Sequence, residues 1–138
     1  MVRRPISGAA PLTTCLVIDD SPVIRKVATR ILARAGVAVE EAATGAEGIA
    51  KLAATVPAVV LVAGTLSDMT GEDLVRRVRA MPNGAGVTIL GMLVEANLGQ
   101  MTRLKRAGCS GFVYKPFDRA SLTACLAPHL PAVAEKAA

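Results

Sequence analysis

Five short aliphatic runs punctuate this chain, and each reads as a continuous apolar stretch rather than an alternation of apolar and polar residues. They are Cys15-Leu16-Val17-Ile18, Val37-Ala38-Val39-Glu40, Ala58-Val59-Val60-Leu61-Val62-Ala63, Val87-Thr88-Ile89-Leu90-Gly91-Met92-Leu93 and Gly111-Phe112-Val113-Tyr114. A strand covered on one face alternates; a strand covered on both faces does not. The segments between the runs carry apolar residues at helical spacing, so strands alternate with helices. That order implies an α/β chain with a five-stranded, doubly wound parallel sheet in three layers, a (βα)5 arrangement.

Local signals set the boundaries. Ser21-Pro22 offers an N-cap and a first-turn proline. Val23, Val27, Ile31 and Ala35, flanked by Ile24 and Leu32, give that helix its apolar positions, and Gly36 stops it. Thr44 and Glu47 form a capping box for a second helix that turns Ile49, Leu52 and Ala53 inward and ends before Pro57. A third helix covers 71–80 and stops before the turn Pro82-Asn83-Gly84. Leu98, Met101, Thr102 and Lys105 lie on a fourth helix ending at Gly108. Asp118 caps a fifth, which passes through Ala120, Leu122, Cys125 and Leu126 and ends near Pro128. The expected organisation is a flexible tail at 1–13, one folded domain at 14–130 and a frayed tail at 131–138.

Composition narrows the function classes. With 138 residues the chain fits one domain, and with 2% aromatics its core must be aliphatic. No apolar run approaches the ~18 residues of a spanning helix, and no apolar segment follows the basic N-terminus as a secretory leader requires. Three cysteines, Cys15, Cys109 and Cys125, lack metal-site spacing and read as reduced thiols of a cytoplasmic protein. The net charge of +5 raises the question of nucleic acid. The densest cluster, Arg76-Arg77-Val78-Arg79, has no interleaved aromatics for base stacking and shares its helix with Glu72 and Asp73. It reads as a solvated helix face.

In a parallel doubly wound sheet, ligands sit beyond the carboxyl ends of the strands. Those ends carry Asp19 and Asp20, then Ala63, Leu93 and Lys115. The segments Leu16-Val17-Ile18-Asp19-Asp20-Ser21, Gly71-Glu72-Asp73-Leu74-Val75-Arg76 and 107–117 (AGCSGFVYKPF), in this order and spacing, resemble the receiver domain of two-component response regulators, the CheY-like family. The resemblance covers about residues 14–127 and implies its flavodoxin-like fold. It also implies roles. The acidic pair, here Asp19 and Asp20, helps bind Mg²⁺. The lysine, here Lys115, pairs with the phosphoryl group, and a cis peptide before Pro116 aims it. The plainer reading is that the two aspartates cap a helix and Lys115 balances their charge.

The same resemblance shows what is missing. The position of the phosphate-accepting aspartate is Ala63, and a methyl group cannot attack a phosphoryl donor. The position of the switch Ser or Thr is Leu93, which has no hydroxyl. The family's loop pattern Met-Pro-x-Met-Asp-Gly is here Leu66-Ser67-Asp68-Met69-Thr70-Gly71, and Asp68 lies too far along to replace the lost acid. Phe112 matches the switch aromatic and reads equally well as an ordinary core ring. Thr65 and Ser67 read as loop hydroxyls, Cys109 as an unactivated thiol, and His129 as a surface histidine.

These residues point to a degenerate receiver, a pseudo-receiver acting alone in bacterial signalling by phosphorylation-independent protein contact. It is expected to be no enzyme and to require no cofactor, with Mg²⁺ binding weak at best. The resemblance places partner surfaces on the fourth helix and fifth strand (Arg103, Lys105, Arg106, Phe112, Tyr114) and on the first helix (Arg25, Lys26, Arg30). The partner is a histidine kinase, a phosphotransfer protein or a motor or regulatory target, with a homodimer as an alternative. Two other readings stay open: a relay receiver that retains Mg²⁺ or phosphodonor binding or uses an unusual phosphoacceptor, and a binder of an anionic nucleotide. Membrane insertion is excluded, and nucleic acid is disfavoured.

Overall fold

The computed structural model describes residues 13–130. The expected tails lie outside the described residues, Thr13 apart. Five strands alternate with five helices: β1 (Thr14–Ile18), α1 (Pro22–Arg34), β2 (Ala38–Ala42), α2 (Gly45–Ala54), β3 (Val59–Ala63), α3 (Gly71–Ala80), β4 (Thr88–Leu93), α4 (Leu98–Ala107), β5 (Gly111–Tyr114) and α5 (Arg119–Leu126). All strand pairs are parallel, in the order β2-β1-β3-β4-β5. Helices α1 and α5 pack on one face, and α2, α3 and α4 on the other.

The three inner strands match the continuous-run reading, and every residue of β3 is buried. The edge strands do not. In β2 only Ala42 is buried, with Glu40 exposed, and β5 leaves Tyr114 exposed. An edge strand has one neighbour, so a helix layer cannot seal both of its faces. The core is aliphatic: Leu32, Leu61, Leu74, Ile89, Leu104, Leu122 and Leu126 are each 0% exposed. Each such side chain contributes roughly 1.5–3 kcal/mol of transfer free energy.

Most caps fall where expected. The Ser21 hydroxyl accepts from the Ile24 amide at 3.3 Å, and the Thr44 hydroxyl from the Glu47 amide at 3.1 Å. Asp118 and Ser121 close a reciprocal box on α5. Gly36 and Gly108 leave α1 and α4 at φ values of 83° and 121°, a region that favours glycine. Other expectations shift. Glu47 reaches the amide of Ala43 rather than that of Thr44, so the box at α2 is not reciprocal. The buried stripe of α1 is Ala28 and Leu32, continued by the buried C-cap Ala35; Val23 is 69% exposed. In α2, Leu52 is buried and Ile49 half-buried, but Ala53 faces solvent, and Gly45 and Gly48 take the inner positions. A Cβ on Gly48 would lie 2.5 Å from the Ile18 side chain, so a glycine there lets α2 approach β1. In α4 the buried anchor is Leu104, while Leu98 is 80% exposed.

The arginine cluster on α3 is not uniformly solvated. Arg76 pairs with Glu72 and Asp73, and Arg77 is exposed. Arg79 donates to the carbonyls of Gly84 at 2.7 Å, Val87 at 2.6 Å and Gly108 at 2.7 Å. Its planar fork satisfies carbonyls from two loops at once and fastens the amino-terminal end of β4 to the turn before β5.

Candidate functional site

The carboxyl ends of β1, β3, β4 and β5 meet in one crevice. Asp19 follows β1 and is 1% exposed. Its Oδ1 accepts from the Ser21 amide at 2.9 Å, and its Oδ2 accepts from Lys115 Nζ at 2.8 Å. This ion pair joins residues 96 apart in sequence. The Lys115 amide donates to the Leu93 carbonyl at 2.7 Å, which fixes the lysine to the end of β4. The peptide before Pro116 is cis, as the resemblance implied. Asp20 is exposed.

Ala63 ends β3 and is 0% exposed. A Cβ on Gly71 would lie 2.5 Å from the Ala63 carbonyl oxygen, so the start of α3 lies against this strand end at a distance only glycine permits. Above Gly64, two side chains close the space. The Leu93 side chain lies 3.2 Å from where a Gly64 Cβ would be, and the Gln100 carboxamide, from α4, sits against the same point. The centre of the crevice is therefore a methyl, a leucine and an amide, with one ion pair beside them.

Two further residues fix the rim. Arg25 Nη1 donates to the Asp19 carbonyl at 2.7 Å, and its Nε donates to Glu41 at 3.2 Å. Burial opposes ionisation of Glu41. The Thr29 hydroxyl at 3.0 Å, Lys26 and Arg25 outweigh it, and the carboxyl sits below its ordinary range. Asp68 accepts from the amides of Gly45 at 2.9 Å and Ala46 at 3.0 Å. Those two amides hold its carboxyl below the usual range as well. It joins the β3–α3 loop to the start of α2, and α2's N-terminus suits its charge.

The other sequence-predicted residues scatter. Thr65 and Ser67 are exposed in the β3–α3 loop, and His129 is exposed near the end of the described chain. Burial pushes the Cys109 thiol up to about 11 despite the nearby Arg79, which leaves it without thiolate character near neutral pH. Lys105, Arg106 and Phe112, with Met101 and Thr102, line a shallow cavity of about 270 Å³. Phe112 is half-buried over Gly91, and Tyr114 is 46% exposed with its hydroxyl 4.0 Å from the Met101 sulfur. Arg103 does not join that set. It turns to α3 and pairs with Glu72 at 3.1 Å.

A divalent ion of the magnesium type needs about six hard oxygens in octahedral array, usually from one or two carboxylates and waters. The residues present do not fit that need. Both oxygens of Asp19 are engaged, Ala63 supplies none, and Asp20, next in sequence, is exposed. Among the described residues no group of three or more His, Cys, Asp or Glu side chains comes together.

Residues 15–127 match the response regulator receiver domain family. The chain belongs to that family. It is similar to the chemotaxis protein CheY1 of Helicobacter pylori, 33% identical over 104 residues that make up 74% of this chain and 84% of that protein. Among solved structures it resembles the chemotaxis response regulator CheY4 of Vibrio cholerae, with a TM-score of 0.83 and 30% identity, covering 87% of this chain and all of that one. It also resembles the receiver domain of a sensor histidine kinase from Pseudomonas aeruginosa, with a TM-score of 0.79 and 26% identity over 86% of this chain and 98% of that one. That receiver was solved with a magnesium ion in its active-site cleft. The receiver described here is thus a two-component signalling domain by family. Among its described residues, no helix is long and apolar enough to cross a membrane.

Proposed function

We propose that this receiver signals by protein–protein contact and does not run the phosphorylation cycle of its family. The observation that carries this reading is Ala63, buried at the end of β3 where Asp19, Lys115 and Leu93 converge. A nucleophile is needed there, and a methyl group has no lone pair to offer. Two neighbours support the reading. Leu93 brings no hydroxyl to bond an incoming phosphate. Lys115 is already engaged with Asp19 at 2.8 Å, so it is not poised for a phosphoryl group.

A ligand shifts a conformational equilibrium only through contacts that differ between the two states. With the acceptor and the hydroxyl both gone, phosphate has no differential contact to make. The receiver then presents one constant surface, acts in the bacterial cytoplasm, catalyses nothing and needs no cofactor. Its Mg²⁺ affinity is weak, because Asp20 is the main carboxylate on offer. Its partner is a histidine kinase, a phosphotransfer protein or a regulatory target of the same signalling system.

Incubation with acetyl phosphate and Mg²⁺, followed by intact-mass spectrometry, tests this. The expected result is an unchanged mass. A stoichiometric phosphoryl adduct labile to hydroxylamine would refute it.

A further inference from the structure

We propose that Gln100 is a latch that sets the position of α4 without phosphate, by seating its side chain on the bare backbone of Gly64. The proposal rests on the phosphorylation-independent reading above and adds what holds the surface that such a receiver presents. Gly64 directly follows Ala63, so the latch closes beside the strand end where an acceptor would stand.

Among the described residues, little else holds the start of α4. Residues 94–99, from the end of β4 into the first turn of the helix, are all exposed. Val94 and Leu98, the two large apolar residues among them, are 73% and 80% exposed, so neither anchors the turn. Asn97 caps the helix by accepting from the Gln100 amide at 2.9 Å, a bond within the turn itself. Leu104 is the one buried residue of α4, and it lies a turn further on. Gln100 and Met101 are the first half-buried residues after β4. Met101 lies beside the half-exposed Tyr114, whose hydroxyl is 4.0 Å from its sulfur. Arg103 pairs with Glu72 at 3.1 Å, but its side chain is 56% exposed, and an exposed pair is worth little.

Gln100 reaches past these residues to the end of the sheet. Its carboxamide nitrogen lies against the point where a Cβ on Gly64 would be, its Cδ is 3.1 Å from that point, and Leu93 Cδ2 is 3.2 Å from it. Any residue but glycine at 64 would put a carbon there. The seat is itself fixed: the Gly64 amide donates to the Met92 carbonyl at 3.1 Å, and the Gly64 carbonyl accepts from the Gly71 amide at 2.9 Å. It is thus tied to β4 and to the start of α3, and a side chain long enough to cover it ties α4 to both. A ligand moves a helix only through a contact that one state has and the other lacks. Here the contact comes from the chain's own side chain and is present at all times. Length decides which side chains can make it: asparagine is one methylene shorter than glutamine, and methionine matches it.

Native-state amide hydrogen exchange and amide chemical shifts of the full chain, without phosphodonor, test the latch. In Gln100→Ala the amides of residues 101–107 should exchange about tenfold faster, because local opening of α4 becomes easier, and the amides of Phe112 and Tyr114 should shift. The amides of β1 and α1 should keep their rates, which separates a released helix from a destabilised fold. Gln100→Asn is too short to cover Gly64 and should behave like Gln100→Ala. Gln100→Met has the reach and should behave like wild type. Gly64→Ala puts a methyl on the seat and should release α4 in the same way. Both changes break one contact, so Gly64→Ala with Gln100→Ala should exchange no faster across α4 than the faster of the two single variants. Unchanged rates across α4 in Gln100→Ala, or acceleration spread equally over β1 and α1, overturn the proposal. So do an asparagine variant as protected as wild type, a methionine variant as fast as Gln100→Ala, or a double variant whose effects multiply. No step involves phosphoryl transfer. Failure of the latch leaves the proposed function standing, and a phosphoryl adduct on the wild-type chain would overturn that function and leave these rates untouched.

Discussion

Breaking the Asp19–Lys115 pair from its two sides should give unequal costs. In Lys115→Met the ammonium is lost while Asp19 stays 1% exposed, a buried carboxylate with no counter-charge. Removing one partner of a fully buried pair costs about 3–5 kcal/mol. Here the Ser21 amide still bonds Oδ1 at 2.9 Å and the Lys115 side chain was already 15% exposed, so the lower end applies, about 3 kcal/mol. In Asp19→Asn the amide oxygen keeps the Ser21 bond, and the partly exposed lysine can turn to water. That loss is about 1 kcal/mol, the net worth of one hydrogen bond. The double variant leaves no orphaned charge and should be more stable than Lys115→Met alone, an interaction energy of about 1–2 kcal/mol. Urea unfolding reads all three. With a slope of about 1–3 kcal/mol/M, Lys115→Met should move the midpoint down by about 1–3 M with the slope unchanged. If Asp19→Asn cost as much as Lys115→Met, or if the double variant were simply additive, Lys115 would not be the structural counter-charge of Asp19.

Three other outcomes are expected. At neutral pH a thiol reagent should modify Cys125 at most, because burial pushes the Cys15 thiol up to about 12 and the Cys109 thiol up to about 11; all three should react once the chain is unfolded, as absorbance with Ellman's reagent would record. Glu41 has a lowered folded-state value, so its contribution is full above its unfolded pKa of about 4.3 and is lost as pH falls through the depressed folded value; the stability gap between wild type and Glu41→Gln, from urea curves at successive pH values, should therefore shrink only in acid. Ala63→Asp alone should allow some phosphoryl uptake by mass spectrometry without spreading amide shifts across α4 and β5, whereas Ala63→Asp with Leu93→Thr should spread them; a full response from the single variant would show that Leu93 is no block.

Much of the fold was legible because its signals are local. Ser21, Thr44 and Asp118 cap where their side chains can reach an amide three residues on, and Gly36 and Gly108 end helices where φ turns positive. The inner strands declared themselves as β-branched runs, and the converging crevice followed from the topology. Side chains that act across elements left no such signal. Gln100 and Arg79 read in sequence as ordinary helix-surface residues, yet they reach Gly64 and Gly108 across the fold, and Arg25, expected on a partner surface, turns to Asp19 and Glu41. Asp68 reads in sequence only as a failed substitute acid, whereas its partners are the amides at the start of α2, 22 and 23 residues back. The inner stripe of α1 is ambiguous in sequence because Val27-Ile31 and Ala28-Leu32 repeat with the same period, and an alanine gives little hint that it is the inner one.

The crevice retains Asp19, Asp20 and Lys115, with Ala63 at the end of β3 and Leu93 at the end of β4. A phosphate switch needs groups whose partners change between two states: a free lysine, a hydroxyl that swings, a loop that can follow it. In this receiver Lys115 is held by Asp19, and Leu93 and the Gln100 amide fill the space above Gly64. On the β3–α3 loop, Asp68 is bonded to α2, and Gly71 lies against the carbonyl of Ala63. On the proposed reading, these contacts steady one arrangement of the crevice. Restoring a carboxylate at position 63 changes the chemistry at one atom and leaves these fixed contacts in place. Phosphoryl uptake at position 63 would then occur without the spread of shifts that a working switch gives.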